Sequence, residues 1–258
     1  MSNERRGAPL RLFAAGSLRR AGTEILARFE AIHGVRVEVR FGPAGLLRAA
    51  IEAGAAVDVF ASANTAHPQA LYAAGRFGRP VVFAANPMTI VARRGILTPG
   101  DDPIARMLDP TVVVGTSTAG ADASGDYAQW VFDRIEAIRP GAGEAIRRRA
   151  RALVGGPTTA EVPAGRQSSE WLIATGQADL VLAYRSGAVA VADDPGLIVV
   201  DLPAAVAVTA DYAVTVARGA DRWAEALAAF LCGDEAAAIL GRCGLLPPRP
   251  IDPTASGV

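Results

Sequence analysis

Short apolar runs alternate along this chain with amphipathic stretches, and the change of period marks the elements. Residues 11–15 form a compact apolar run that predicts a strand ending at Gly16-Ser17. Leu18, Ala21, Ile25, Leu26 and Phe29 then recur at helical spacing, with His33-Gly34 as the stop. Residues 35–41 alternate apolar and charged positions, the period-two pattern of a half-exposed strand. Gly42-Pro43-Ala44-Gly45 opens a second helix over residues 46–53, residues 57–61 read as a short buried strand, and Ser62-Ala63-Asn64 begins a third helix. The unit of strand, tight small-residue turn and helix thus recurs three times. It predicts parallel strands flanked by helices, with ligands bound where the turns lie, at the strand C-terminal ends.

Residues 80–92 form a longer extended apolar run, expected to pass between two lobes. A second α/β region follows, with strands expected at 112–115, 180–183, 198–200 and 212–216. Its helices are expected from Ser124 to Ile138, over 140–154 and over 168–175, with loop at 155–165, and the last two at 223–231 and 234–242. The proline-rich tail, 247–258, is expected to be loose.

Composition narrows the chemistry. The 258 residues are 51% hydrophobic, ample for a buried core, and 26 basic residues balance 26 acidic ones. That balance removes the electrostatic footprint of a nucleic-acid binder. Every basic residue is arginine. Without lysine there is no Walker A loop and no Schiff-base chemistry. Cys232 and Cys243 bracket a short helix that holds its ends too far apart for a disulfide, so two free, buried thiols are expected. No metal-ligand spacing occurs, His33 and His67 are expected at the surface or as a cap, and Gly-x-Ser-x-Gly is absent. Arg147-Arg148-Arg149 reads as a solvated helix face. The apolar run near the N-terminus is too short for a signal-peptide core and no stretch approaches a membrane span, so a soluble chain without an export signal is expected.

Small hydroxyl or glycine residues recur at helix starts: Ser17, Ala44-Gly45, Ser62 and Ser124-Gly125. A helix N-terminus offers unpaired N–H groups and a partial positive charge, and binds anions without a basic side chain. Each alone is ordinary capping. Converging on one point, they would form a neutral, hydrogen-bonding cage for an oxyanion.

Phe13-Ala14-Ala15-Gly16-Ser17-Leu18 resembles the opening of molybdate-binding proteins of ABC transporters, and the run from Ile51 to Asn64 resembles the same family more specifically. Gly176-Gln177-Ala178-Asp179-Leu180 with Ala183-Tyr184, and the spacing of Phe230-Leu231, Ile239-Leu240 and Gly244-Leu245, extend the likeness from about Leu10 to Leu246. The resemblance implies an α/β, two-lobed type II periplasmic-binding-protein fold, each lobe a mostly parallel sheet, with a two-strand hinge. Residues 1–85 and 215–258 would form lobe one and 86–214 lobe two, the second crossing falling between 200 and 220. It also implies a binding protein rather than an enzyme, without cofactor, monomeric and periplasmic (its leader trimmed) or else a cytosolic variant. Its ligand would be molybdate or tungstate and its partner a membrane permease; sulfate, phosphate or a small organic anion on the same fold is the alternative.

Carried onto this chain, the family's first serine is Ser17 and its ligand-binding tyrosine is Tyr184. Ala44 stands where the family has a second serine, so only its backbone N–H is kept, beside Gly45. Ser124 stands where the family has an alanine, and adds a hydroxyl. Arg166-Gln167-Ser168-Ser169 replaces the family's Asn-Val; Gln167 and Ser168 are candidates there, and Arg166 or Gln167 could enter the pocket. Ser62 is a further candidate. The anion would be held by these donors, with no metal coordinated by side chains.

Overall fold

The computed structural model describes residues 8–98 and 100–249. Residues 1–7 and 250–258, including most of the proline-rich tail, lie outside the described residues.

The first three repeats form as their periodicity requires. β1 (Leu10–Ala15) turns through a short 3-10 segment (Gly16–Leu18) into α1 (Arg19–His33). β2 (Val37–Gly42) leads to α2 (Ala44–Glu52), and β3 (Val59–Ser62) to α3 (Ala66–Ala73). β1 pairs in parallel with both β2 and β3, so all three turns gather at one edge of the sheet. The apolar stripe of α1 is buried at Ala21, Ile25, Leu26 and Phe29. A separate cluster of Phe13, Leu47, Ile51, Phe60 and Leu71 fills the other face of these strands.

β4 (Val81–Arg93) is the long strand anticipated from its apolar run, and it belongs to two sheets. Residues 81–87 pair with β9 (Thr209–Val216), and β9 with β3, completing a first sheet of order β2-β1-β3-β9-β4. Residues 88–93 run between β7 (Leu180–Tyr184) and β8 (Leu197–Asp201). β7 continues in parallel to β5 (Val114–Ser117), and β5 to β6 (Arg151–Val154). The antiparallel pairings all involve β4 or β9, the strands at the junction; the strands served by helical crossovers are parallel. This is the α/β architecture expected, but the sheets are mixed rather than mostly parallel, because β4 and β9 pair antiparallel where the chain passes between them. The chain returns to the first sheet when β9 begins at Thr209.

The second region carries α4 (Pro103–Leu108), α5 (Ala123–Ile138), α6 (Ala142–Arg149), α7 (Ser168–Ala174) and α8 (Arg185–Val189). α9 (Arg222–Leu231) and α10 (Asp234–Arg242) close the fold against α1. The helix expected over 140–154 ends at Arg149, and residues 151–154 are strand β6. Ala150 adopts an extended conformation and Leu153-Val154 enter the sheet edge, a short apolar run whose period alone does not separate helix from strand. The third helix begins at Ala66 rather than at Ser62, which is the last residue of β3.

The arginine triplet is not an open patch. Arg147 pairs with Asp133 and Glu144, and Arg149 caps the carbonyls of Leu108, Asp109 and Val112. Both cysteines are free thiols as expected, but Cys232 is exposed and only Cys243 is buried. Among the described residues no helix is long and apolar enough to cross a membrane.

Candidate functional site

The site is built where β4 leaves one sheet for the other. Asn86 lies opposite Ala210 of β9, while Met88, two residues on, lies opposite Tyr184 of β7. Asn86 is fully buried, and an amide can be kept there only if its groups are paired. Its Nδ2 donates to the Tyr212 hydroxyl oxygen (3.0 Å) and to Ser186 Oγ (2.8 Å), and its Oδ1 accepts from the Ser186 backbone N–H (3.2 Å). The Tyr212 hydroxyl in turn lies 2.7 Å from Ser17 Oγ. One hydrogen-bonded chain therefore runs from the turn after β1, through β9 and β4, to the first turn of α8.

Tyr184 ends β7 beside this chain. Its ring centroid is 5.8 Å from that of Tyr212 and 6.3 Å from that of Tyr127 on α5. It is 6% exposed, and its hydroxyl is shielded from water with no hydrogen-bond partner among the described residues. Burial pushes all three phenols well above the ordinary tyrosine range, and the Asp122 carboxylate adds to the effect on Tyr184 and Tyr212. The three hydroxyls are thus neutral donors at physiological pH.

The start of α5 forms the adjoining wall. Asp122 caps the helix, its Oδ1 accepting from Ser124 N–H (3.1 Å), while Ser124 Oγ donates to Ser117 Oγ (2.7 Å). Both donors expected from Ser124 are therefore engaged within their own turn. Burial pushes the Asp122 carboxyl up, against the pull of the Ser124 N–H and the Ser117 hydroxyl. The start of α2 meets this loop directly: Gly45 N–H donates to Ala121 O at 3.0 Å. A Cβ on Gly45 would stand 2.4 Å from Gly120 O, so only glycine permits this approach. Gly125 is equally constrained, since a Cβ there would come within 2.5 Å of the Thr118–Ala119 backbone.

The structure thus brings Ser17, Tyr184, Ser124 and Gly45 toward one region, with Ala44 buried as the first residue of α2. Gln167 is the N-cap of α7, and a Cβ on Gly187 of α8 would lie 3.5 Å from its Oε1, so its side chain reaches the helix that follows Tyr184. Ser168 is the first residue of α7. Arg166 is exposed and paired with Glu170, and so brings no cation inward. Ser62 is fully buried and bonded to Asn64, whose Oδ1 also accepts from His67 N–H; it is part of a local turn. His67 itself is 8% exposed, contrary to the surface position expected for it, because the turn after β3 folds it under α2.

Four residues escaped the sequence reading: Asn86, Tyr212, Ser186 and Asp122. Asn86 carried a signal, being the one amide inside the long apolar run of β4. Tyr212 fell within an expected strand, and Ser186 and Asp122 carried no local signal; only the tertiary structure brings them beside Asn86 and Tyr184. Among the described residues no group of His, Cys, Asp and Glu could hold a metal ion.

Comparisons with known proteins agree with this fold. Over 240 residues the chain is 35% identical to the uncharacterized protein PM1146 of Pasteurella multocida, covering 92% of this chain and 98% of that one. It is 30% identical over 220 residues to the molybdate-binding protein ModA of Mycobacterium tuberculosis, covering 80% and 72%. Its fold superposes on the periplasmic molybdate-binding protein of Azotobacter vinelandii with a TM-score of 0.75 at 19% identity, covering 93% of this chain and all (100%) of that one. The sulfate-binding protein SubI of M. tuberculosis gives a TM-score of 0.73 at 17% identity, covering 95% and 88%. The family described as bacterial extracellular solute-binding protein matches residues 10–246, and this chain belongs to it.

Proposed function

We propose that this protein captures a tetrahedral oxyanion, molybdate or tungstate, at the junction of its two sheets and delivers it to an ABC transporter permease outside the cytoplasm. The observation that carries this reading is the Tyr184 hydroxyl, a buried donor without a partner among the described residues, beside a chain of polar groups drawn from both sheets. A buried donor left unpaired costs about 1–3 kcal/mol, which an acceptor oxygen on a ligand would recover. Asn86 donates to the Tyr212 oxygen, and in this reading Tyr212 directs its own proton at Ser17 Oγ, either atom of that pair being able to donate. The Ser17 proton is then available to the anion. Backbone N–H groups at the starts of α2, α5 and α7 complete the donor set, the Ser124 and Gly45 groups exchanging their present partners for ligand oxygens.

Size would separate molybdate and tungstate from sulfate. A set made of donors disfavours hydrogen phosphate, whose proton would need an acceptor. The ModA and Azotobacter relatives support molybdate; the likeness to a sulfate-binding fold keeps sulfate as the second reading. Closure would turn on β4 and on the segment between β8 and β9, with ligand favouring the closed form.

Thermal unfolding of the anion-stripped protein tests this. Ligand at a thousand times its Kd adds about 4 kcal/mol, a rise in Tm on the order of 10 °C for a chain of this size. The rise is expected with molybdate and tungstate and not with sulfate or phosphate. A rise with sulfate alone reassigns the ligand, and no rise with any of the four removes the oxyanion reading.

A further inference from the structure

Asn86 sits on a backbone that its neighbours hold in place. It precedes Pro87, which disfavours helical backbone at the residue before it and keeps this stretch of β4 extended. Ala85 exchanges two backbone hydrogen bonds with Leu246 (2.9 and 2.8 Å), and Met88 N–H donates to Val208 O (2.8 Å). The amide therefore projects from a chain pinned just before and just after it.

One donor fixes the orientation of that amide. Ser186 N–H stands in the first turn of α8, where no carbonyl of the helix can take it, and it lies 3.2 Å from Asn86 Oδ1. A backbone N–H can only donate, so the amide oxygen faces it. The NH2 group then faces Ser186 Oγ (2.8 Å) and the Tyr212 oxygen (3.0 Å) and gives a proton to each.

This polarity passes along the network. Tyr212 is fully buried, and burial holds its hydroxyl in the protonated form. Asn86 Nδ2 cannot accept that proton, and Ser17 Oγ at 2.7 Å is the acceptor left for it among the described residues. Ser17 is half-buried in the turn after β1, and its own proton is then free to leave the network. On the other sheet, Ser186 stands two residues beyond Tyr184, so two hydrogen bonds to one amide steady the turn that carries the Tyr184 ring.

We propose that Asn86 is a positioning residue of the anion site: from the strand shared by both sheets it turns the Ser17 hydroxyl outward as a donor and holds the turn that carries Tyr184. The inference rests on the oxyanion reading of Ser17 and Tyr184. Asn86 is fully buried with its amide groups committed, and so acts through these two residues rather than on the anion. Asn86→Asp keeps the shape of the side chain and leaves only acceptors. Tyr212 would then donate to the carboxylate, Ser17 would donate to Tyr212, and the proton offered to the anion would be withdrawn.

Calorimetric titration of the full chain with molybdate tests this in a cycle of wild type, Asn86→Asp, Ser17→Ala and the double variant. A buried carboxylate also repels the anion, but by the same factor with or without the Ser17 hydroxyl, so that charge cancels in the cycle. Asn86→Asp is expected to weaken molybdate binding about tenfold more in the wild-type background than in Ser17→Ala. Asn86→Leu, close in size and uncharged, repeats the cycle and serves alone if Asn86→Asp does not fold; its coupling is expected to have the same sign and to be about threefold. Effects that simply multiply in either folded variant, or Asn86 variants that bind as wild type does, overturn the proposal and leave the oxyanion reading standing. Sulfate takes the place of molybdate as probe if sulfate alone binds wild type. Folded wild-type protein that binds neither anion removes the oxyanion reading, and this proposal with it.

Discussion

The two ends of the site region, the start of β1 and β3 and the end of β7 at the sheet junction, treat buried polarity in opposite ways. Where the strands begin, Asp58 is 2% exposed and fully engaged: it accepts from Arg11 N–H (2.9 Å), Nε (3.1 Å) and Nη2 (3.0 Å). That pairing also holds the Arg11 guanidinium above its ordinary range. A surface cavity lies there too, lined by Arg11, Asp58, Arg76 and Arg218, but its acid already faces a cation. Across the junction, where β7 ends, Tyr184 is buried almost as deeply and its hydroxyl has no hydrogen-bond partner among the described residues. The comparison separates two reasons for burying a polar group. A satisfied group stabilises one arrangement of the chain; an unsatisfied one costs stability and is kept where a ligand can complete it.

The largest effect expected from this comparison is on the satisfied end. Asp58→Ala removes one partner of a buried pair and should cost about 3 kcal/mol, the low side of the usual range because Arg11 is partly exposed. Chemical denaturation should show the loss, with molybdate affinity per folded molecule unchanged. An equal loss of affinity would mean that the two ends are not independent.

At the other end the sign reverses. Tyr184→Phe should weaken molybdate binding by about tenfold or more, yet leave the ligand-free protein as stable as wild type or about 1 kcal/mol more so, because an unpaired hydroxyl is removed. Ser17→Ala should weaken binding to a similar degree while losing about 1 kcal/mol, since its hydroxyl is bonded to Tyr212. Paired titrations and denaturation curves read both quantities. If Tyr184→Phe destabilises as Ser17→Ala does, the Tyr184 hydroxyl has a structural partner and the contrast fails.

The smallest effect concerns Asp122. Its carboxyl is raised in the folded state, so folding favours the protonated form. Stability is therefore gained as pH falls through the raised value toward the ordinary one near 3.8, and lost as pH rises through it. A neutral carboxyl also ceases to repel an anion and can donate to it, so affinity for tungstate should rise as pH falls over the same range. Asp122→Asn preserves the helix cap and should flatten both slopes relative to wild type. Slopes that persist unchanged in the variant would place the titrating group elsewhere.

Much of the fold was legible because each repeat is local. A strand, a small-residue turn and an amphipathic helix are written within about 20 residues, where hydrophobic period and turn chemistry decide the outcome. The same locality exposed Ser17, Gly45 and Ser124 as helix-start residues, whereas Tyr184 came from the family resemblance and stands one residue past the expected strand. What local pattern could not supply was partnership. Residues 151–154 carry an apolar run too short to choose helix or strand, and the free edge of β5 chose for them. His67 looked like a surface residue until the turn after β3 placed it against Arg48. Ser124 looked like a double donor until its own turn consumed both donors.

By itself the sequence determined the α/β class, the positions of the small-residue turns at the strand C-terminal ends, and the absence of the lysine that several catalytic chemistries require. Tertiary structure alone decided which polar groups meet. Asn86 and Tyr212 are 126 residues apart and share a hydrogen bond because β4 and β9 run side by side in antiparallel register. The physical reason is one of range: hydrophobic period and backbone preference act over a few residues, while the pairing of a buried amide, a phenol and a serine depends on strands that the chain brings together only when the whole sheet has formed.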